Sequence, residues 1–280
     1  MTIAWQNVWT ETRSANWVLL LASLRIVSDS LETLWTRAEY HPGGTASWTF
    51  VRTLRPLTST GPLANALSFI LDYPQYIALI VFEMLCALAL LLDAQPQSRV
   101  FFLVAILIIR LLSNVRSGGA SLNGSDQMQV MLLVSLIVFY ASPGTPARIA
   151  VFWFIALQLI LAYVTAGVVK LQSPAWRQGI AVKSVLNTAQ YGNKTISSWM
   201  VKNPLLSRVL CWSVIGFECC FFLLIFAGPQ ACLVFIVCGT IFHFMIAVNM
   251  GLNGFFWTFI ATYPAVLWVS IEFQRWISPH

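Results

Sequence analysis

Charged residues are scarce in this sequence. Asp, Glu, Lys and Arg make up 9% of the 280 residues, whereas hydrophobic residues make up 58%. A soluble domain carries about 25% charged residues. The net charge is +6, but the basic residues stand singly in short connections and do not form the clusters that bind nucleic acid. The composition excludes a soluble domain and a nucleic-acid-binding protein, and it indicates a polytopic membrane protein.

Histidine is rare as well, and the cysteines lack metal-binding spacing. Of the three histidines, His41 and His280 lie outside the apolar runs, which leaves too few ligands for a histidine-based metal centre. The six cysteines all fall within apolar runs and form no C-x-x-C pair, so we interpret them as small hydrophobic residues. We therefore expect neither a metal site nor a disulfide framework.

Several catalytic motifs are absent. The sequence has no G-x-S-x-G elbow, no glycine-rich phosphate loop after a strand and no pair of inverted hydrophobic repeats. These absences argue against hydrolases of the elbow type, nucleotide-dependent enzymes and the commonest carrier folds.

Long apolar runs fill most of the chain. A helix needs roughly 20 apolar residues to cross the hydrocarbon, and about eight runs qualify, near residues 17–34, 68–92, 99–115, 126–142, 148–171, 205–227, 230–249 and 253–274. We predict an all-α membrane helix bundle of about eight transmembrane helices that forms a single domain over residues 1–280. An even span count places the two long basic connections, 35–67 and 172–204, on one side, which the positive-inside rule makes cytoplasmic.

Ionisable residues interrupt several of these runs. Such residues are costly in a membrane and face the interior of a bundle. Arg25 and Asp29 are four residues apart, so we expect a structural ion pair. Arg110 either faces a partner or extends to the interface. Glu83 and Glu218 either pair with a cation across the bundle or stay protonated. His243 is either a structural side chain bonded to a neighbouring helix or a proton carrier.

Lys170 follows a long apolar run in the stretch AYVTAGVVKLQSPAWRQG. If the span begins near Arg148, the lysine lies about 22 residues, or roughly 33 Å, along it and could reach water at the far interface. Gly167 and Ala166 permit close helix approach, and a turn with Trp176 could cover the amine. A lysine held away from water suits a general base or a Schiff-base amine.

Three blocks, in this order, resemble a known family: NGSDQM, then AGVVKL with Trp176 and Gly179, then Glu218 and FHFMIAVNMGLNGFFW. Together they resemble the HTTM (horizontally transferred transmembrane) domain, which forms the membrane part of the vitamin K-dependent γ-glutamyl carboxylase and of many bacterial proteins. The resemblance covers residues of about 15 to 270.

This resemblance implies a role for Lys170. The matching lysine of the carboxylase is the base that deprotonates vitamin K hydroquinone, so the base role would fall on Lys170. The carboxylase also uses a histidine where SGGASLNG places Ala120 here, and the large lumenal substrate-holding domain has no counterpart in this sequence. We therefore expect no glutamate carboxylation, while lysine-centred quinone or oxygen chemistry stays open.

In build the chain is more similar to SdpB-like HTTM proteins, bacterial membrane factors that act with small partners to mature a secreted peptide. That resemblance implies a maturation enzyme or factor in the cell membrane, with membrane lipid, a small partner subunit and a peptide substrate. Two alternatives are a non-catalytic partner, export or immunity protein and a quinone-dependent oxidoreductase. We predict Lys170 and His243 as catalytic residues, and the substrate-binding wall as Asn123, Asp126, Tyr163, Trp176 and Glu218. The cofactor is unknown, with a quinone or hydroquinone as the candidate.

Overall fold

The computed structural model describes residues 9–54, 61–92, 95–117, 124–189 and 192–277. These ranges contain helices joined by turns and no β-strand, which confirms the prediction of an all-α fold. The helices of the first half are α1 (Glu11–Trp35), α2 (Trp48–Val51), α3 (Pro62–Leu71), α4 (Gln75–Leu91), α5 (Pro96–Arg116) and α6 (Gly124–Ala141), with short 3₁₀ turns at Arg37–Tyr40 and Arg52–Leu54.

The second half of the chain follows the same pattern of long helices separated by short ones. Its helices are α7 (Ala147–Gln172), α8 (Pro174–Arg177), α9 (Ala181–Leu186), α10 (Lys194–Lys202), α11 (Pro204–Cys220), α12 (Leu223–Phe226), α13 (Gly228–Met250) and α14 (Asn253–Ile277).

Local sequence signals explain many of the helix ends. Proline occupies the first turn of α3, α5, α8 and α11, where its missing N–H breaks no helical hydrogen bond. The backbone N–H of Ile196 donates to the Asn193 side chain over 3.2 Å, so Asn193 caps α10. Helix α13 ends at Met250 and is followed by Gly251, whose φ of 69° is the left-handed conformation that glycine adopts readily.

Five helices are long and apolar enough to cross a membrane: α5, α6, α7, α13 and α14. A sixth span is formed if Ala64–Leu71 and Gln75–Leu91 count together, although they meet at an angle of 65°. The two other predicted segments correspond to α1, which carries Arg25, Asp29 and Glu32 among its apolar residues, and to α11, which has 17 residues. The membrane helix bundle is therefore supported, and the count of eight spans stays a prediction.

The chain divides into two compact units. The N-terminal unit comprises residues 15–151, and the C-terminal unit comprises residues 152–277 with residues 9–14. In the N-terminal unit, α5 packs against α4 and α6, and a separate apolar cluster forms around Trp48, Leu71, Tyr76 and Ile80. In the C-terminal unit, α14 is the most buried of the candidate spans and packs along α13. The candidate site lies within this C-terminal unit.

Candidate functional site

An apolar cavity of about 570 Å³ lies within the C-terminal unit. Its walls come from α7, α11, α13 and the start of α14, together with the short helices between residues 174 and 202. Most of the lining is aliphatic or aromatic, including Trp176, Met200, Phe242, Phe255 and Phe259. The polar side chains in this lining are few: Lys170, Glu218, Tyr163, His243 and Asn249.

Lys170 and Glu218 form an ion pair on the cavity wall. Lys170 Nζ donates to both carboxylate oxygens of Glu218, over 2.8 and 2.7 Å. The Glu218 side chain is almost fully buried, and that of Lys170 keeps 21% of its surface exposed. This contact confirms the interpretation in which Glu218 pairs with a cation across the bundle. A charged pair of this kind is also an acid and a base within hydrogen-bonding distance.

The glycine one turn before Lys170 explains how the pair forms. A Cβ at Gly167 would lie 2.7 Å from the backbone nitrogen of Cys219, so the backbones of α7 and α11 are in direct contact there. Small residues permit such close approach between membrane helices. Lys170, three residues after Gly167, is thereby brought to Glu218, the residue before Cys219. The predicted close approach at Gly167 is confirmed.

The turn after α7 brings an aromatic ring to the lysine. Lys170 Nζ lies 5.2 Å from the centroid of the Trp176 ring, a cation–π distance. Gly179 has φ of 77°, and a Cβ there would lie 2.6 Å from the Cα of Arg208. Ser207 Oγ donates to the Gly179 carbonyl over 2.6 Å. Glycine at this position therefore lets the turn dock on α11 and hold Trp176 beside Lys170.

Two predicted site residues meet elsewhere on the wall. The Tyr163 hydroxyl lies 2.8 Å from His243 Nε2, and both side chains are 3% exposed. The His243 ring is stacked on Phe259 with centroids 4.2 Å apart, and the Tyr163 ring is stacked on Phe221 at 3.8 Å. These contacts fix the orientation of both rings. His243 Nδ1 is buried without a hydrogen-bond partner among the described residues.

Tyr263 is a residue that the sequence analysis missed. Its hydroxyl lies 2.9 Å from the Tyr163 hydroxyl and extends the chain that begins at His243. A tyrosine inside an apolar helix usually finds a hydrogen-bond partner for its hydroxyl, and that rule was the available signal. The sequence did not identify Tyr163 as the partner, because the two residues are 100 positions apart.

Asp126, predicted for the same wall, belongs to the N-terminal unit. Arg25 Nη2 lies 2.6 Å from Asp126 Oδ1 there, and both residues line a smaller cavity of about 170 Å³. Asn123 lies outside the described residues. The structure thus brings together Lys170, Glu218, Trp176, Tyr163 and His243 around one cavity, and it does not place Asp126 in that lining.

Five ionisable residues of the N-terminal unit form a connected network: Arg25, Asp29, Glu83, Arg110 and Asp126. Arg25 Nε lies 3.1 Å from Asp29 Oδ2, the predicted ion pair. Arg110 contacts the same Asp29 oxygen at 2.9 Å and Glu83 Oε1 at 2.6 Å. Arg110 therefore faces partners in the bundle, and Glu83 is paired with a cation. Within the described ranges, no group of three or more His, Cys, Asp and Glu side chains is placed to hold a metal ion.

Comparison with known proteins gives no relative. The chain has no significant match to a protein family, to a curated protein or to a solved structure. The resemblance to the HTTM family therefore stays a prediction, and the chemistry of the site is argued from its geometry.

Proposed function

We propose that this chain is an HTTM-family membrane protein that binds a lipid-soluble molecule in the C-terminal cavity and exchanges a proton with it through Lys170 and Glu218. The observation that carries this proposal is the Lys170–Glu218 pair on the wall of an apolar cavity of about 570 Å³. Small-molecule sites typically measure about 300–1,000 Å³ and combine an apolar lining with a few polar groups.

The pair supplies a base without bringing net charge into the cavity. A proton that passes from Lys170 Nζ to a Glu218 oxygen leaves a neutral amine and a neutral acid, and the two atoms are 2.7 Å apart. The amine then accepts a proton from an acidic group of the bound molecule, which becomes an anion beside the new ammonium. Trp176 faces the ammonium and favours the charged form through the cation–π contact.

The biological role that we propose is maturation of a secreted peptide in a bacterial cell membrane, together with a small partner protein. Its support is the order of the three HTTM-like blocks, which puts Lys170 at the position of the family's base. In this role the lipid-soluble molecule is a cofactor, and the peptide is the substrate. A hydroquinone would supply the acidic hydroxyl group when bound, and the quinone–hydroquinone couple would supply redox chemistry.

Two other functions are each favoured by one observation. The aromatic rings of Trp176, Phe242, Phe255 and Phe259 line the cavity and suit a flat ring system, which favours a quinone-dependent oxidoreductase with no peptide substrate. The close pairing of Lys170 with Glu218 is also what a structural ion pair requires. It favours a non-catalytic partner, export or immunity protein.

Identification of the cavity's occupant tests the proposal. The protein is purified from bacterial membranes into nanodiscs, and lipid-soluble molecules that remain bound are extracted and identified by mass spectrometry. Ala166→Phe places a ring in the cavity, since Ala166 lines it. Val234→Phe adds the same ring at an exposed position of α13 and serves as the matched control. We expect one class of molecule to be retained by the wild type and by Val234→Phe, and to be lost from Ala166→Phe.

Equal retention by the wild type and both variants would contradict binding in this cavity. A second measurement distinguishes peptide maturation from the two alternative functions. Secreted peptides are compared by mass spectrometry between a strain that lacks the gene and the complemented strain. A peptide product that depends on the gene supports maturation, whereas a gene-dependent change in the membrane quinone pool with unchanged peptides supports the oxidoreductase. Full function after replacement of Lys170, Glu218 and His243 together would support the non-catalytic protein.

A further inference from the structure

Helices α11 and α13 form one side of the cavity, and aromatic rings hold them together at one end. The Phe221 ring lies 6.0 Å from that of Phe235, and the Phe217 ring lies 6.0 Å from that of Phe242. These are distances of packed aromatic pairs. Since the residue number falls on α11 as it rises on α13, the two helices run antiparallel. The seam between α11 and α13 is closed at this end.

The cavity occupies the next part of this seam. In the antiparallel register, the turn after the last aromatic pair brings Val214 opposite Met245, and the following turn brings Leu210 opposite Asn249. All four of these residues line the cavity. The seam therefore widens into the cavity beyond its closed end, toward the start of α11 and the end of α13.

The outer side of the seam is apolar. Met245 lines the cavity and is also 51% exposed, so it lies at the edge of the seam. Its outward neighbours on α13, Phe244 and Val248, are exposed, and so are Val209 and Trp212 on α11. Large exposed apolar surfaces mark contact with a membrane or a partner, and on adjacent helices of a membrane protein they face lipid. The seam therefore borders the cavity on one side and lipid on the other.

The ion pair lies near the closed end of the seam. Glu218 follows Phe217 directly in α11 and holds Lys170. Val214 and Leu210 lie four and eight residues before Glu218 and share its face of the helix. At 1.5 Å per residue, the path from Glu218 to Leu210 measures roughly 12 Å. A molecule whose polar group meets the ion pair thus has an apolar path of this length beside it.

We infer that the ligand is a single-chain amphiphile, whose alkyl chain lies in the seam between α11 and α13 and extends toward the bilayer. Its polar group stays at the Lys170–Glu218 pair, and its chain contacts Leu210, Val214 and Met245. These three residues select for the chain, because a compact ring compound without one leaves their apolar surface uncovered. The inference rests on the proposed function and deepens it by specifying the class of ligand.

Photolabelling of the protein in nanodiscs tests the inference with two probes. Both are 4-dodecylphenol, with a photoreactive diazirine beside the ring in one probe and at the end of the chain in the other. Mass spectrometry maps the labelled residues. Only labelling that excess unmodified 4-dodecylphenol suppresses is counted, because labelling from bulk lipid does not saturate. We expect the ring probe to label cavity residues around Lys170, and the chain-end probe to label the seam around Leu210 and Met245.

A pair of variants tests the role of the seam. Met245→Trp places a larger side chain at its edge, and Val248→Trp adds the same ring on the outward face of α13 as the matched control. We expect Met245→Trp to lose the suppressible seam labelling by the chain-end probe, and Val248→Trp to keep it. Labelling of the seam at the wild-type level in Met245→Trp would overturn the inference. The wild-type map decides the question if Met245→Trp does not fold.

The two probes also distinguish this inference from the proposed function. Ring labelling in the cavity, with chain-end labelling on another surface such as the exposed Leu161 and Val168 of α7, would overturn the seam assignment and leave ligand binding in the cavity intact. Absence of suppressible ring labelling in the cavity would overturn both.

Discussion

The two units of this protein use ionisable residues in different ways. In the N-terminal unit, Arg25 and Arg110 each contact two carboxylates, and Asp29 contacts both arginines. In the C-terminal unit, Lys170 pairs with Glu218 and faces the Trp176 ring beside a cavity of about 570 Å³. A charge that shares several partners is held in place, whereas a charge with one carboxylate beside a cavity can exchange its proton with a ligand. Under the proposed function, the network of the N-terminal unit is structural, and the Lys170–Glu218 pair of the C-terminal unit exchanges a proton with the ligand.

Removal of one arginine from the network should have the largest effect on stability. Arg110→Met leaves Glu83, which is 1% exposed, without its cation and takes one partner from Asp29. Breaking a buried ion pair from one side costs about 3–5 kcal/mol, so we expect little folded protein, measured by thermal unfolding in detergent. Glu272→Gln breaks the more exposed Arg275–Glu272 pair and should cost about 0–1 kcal/mol. A mild effect of Arg110→Met would remove the distinction between the two units.

Replacement of both members of an ion pair distinguishes the isolated Lys170–Glu218 pair from the network of the N-terminal unit. Glu218→Leu alone leaves Lys170 without its carboxylate and should lower the free energy of unfolding by about 1.5–3 kcal/mol, the strength of hydrogen bonds to charged groups. The double variant Lys170→Met with Glu218→Leu should return to within about 1 kcal/mol of the wild type, because apolar side chains replace an isolated pair at little cost.

The corresponding double variant of the network, Arg110→Met with Glu83→Leu, should stay well below the wild type, since Asp29 still loses a partner. Denaturant unfolding of the two single variants, Glu218→Leu and Arg110→Met, and of the two double variants measures how much stability each double variant recovers. Full recovery in the network variant would show that its charges act as independent pairs.

Substitution of Gly239 should have the smallest effect on the free energy of unfolding. Gly239 packs directly against the Tyr263 hydroxyl, and a Cβ added at Gly239 would displace that hydroxyl. We expect Gly239→Ala to disturb the Tyr263–Tyr163 hydrogen bond and cost about 1–2 kcal/mol. Gly216→Ala in α11, where a Cβ meets open space, should instead raise stability by about 0.5–1 kcal/mol through helix propensity. Thermal unfolding of the two variants checks the difference, and equal shifts would contradict the packing at Gly239.

The sequence predicted the helical class and several pieces of the site because those depend on local pattern. Apolar runs marked the candidate spans, Gly167 marked a close helix approach, and the four-residue spacing of Arg25 and Asp29 marked their pairing. The number of spans was harder to predict from the sequence, because α1 carries charged residues among its apolar ones and α11 is only 17 residues long.

Other features depend on tertiary packing and left no local signal. The sequence did not identify Lys170 as the partner of Glu218, since the two residues are 48 positions apart. It also grouped Asp126 with the C-terminal residues, whereas Arg25 binds Asp126 within the N-terminal unit. The local sequence around Asp126, a carboxylate after a glycine-rich break, does not indicate in which of the two units its side chain finds a partner.

The central claim is that Lys170 gives up and takes a proton, and the Lys170→Arg variant tests it most directly. Arginine keeps the positive charge and the contact with Glu218, but its guanidinium stays protonated in proteins, so it cannot act as a base. Exposed Lys202→Arg in α10 is the matched control. In a strain that lacks the gene, we predict that wild type and Lys202→Arg restore the gene-dependent secreted product. Lys170→Arg should fold to the same level and restore none. Full restoration by Lys170→Arg would contradict the account.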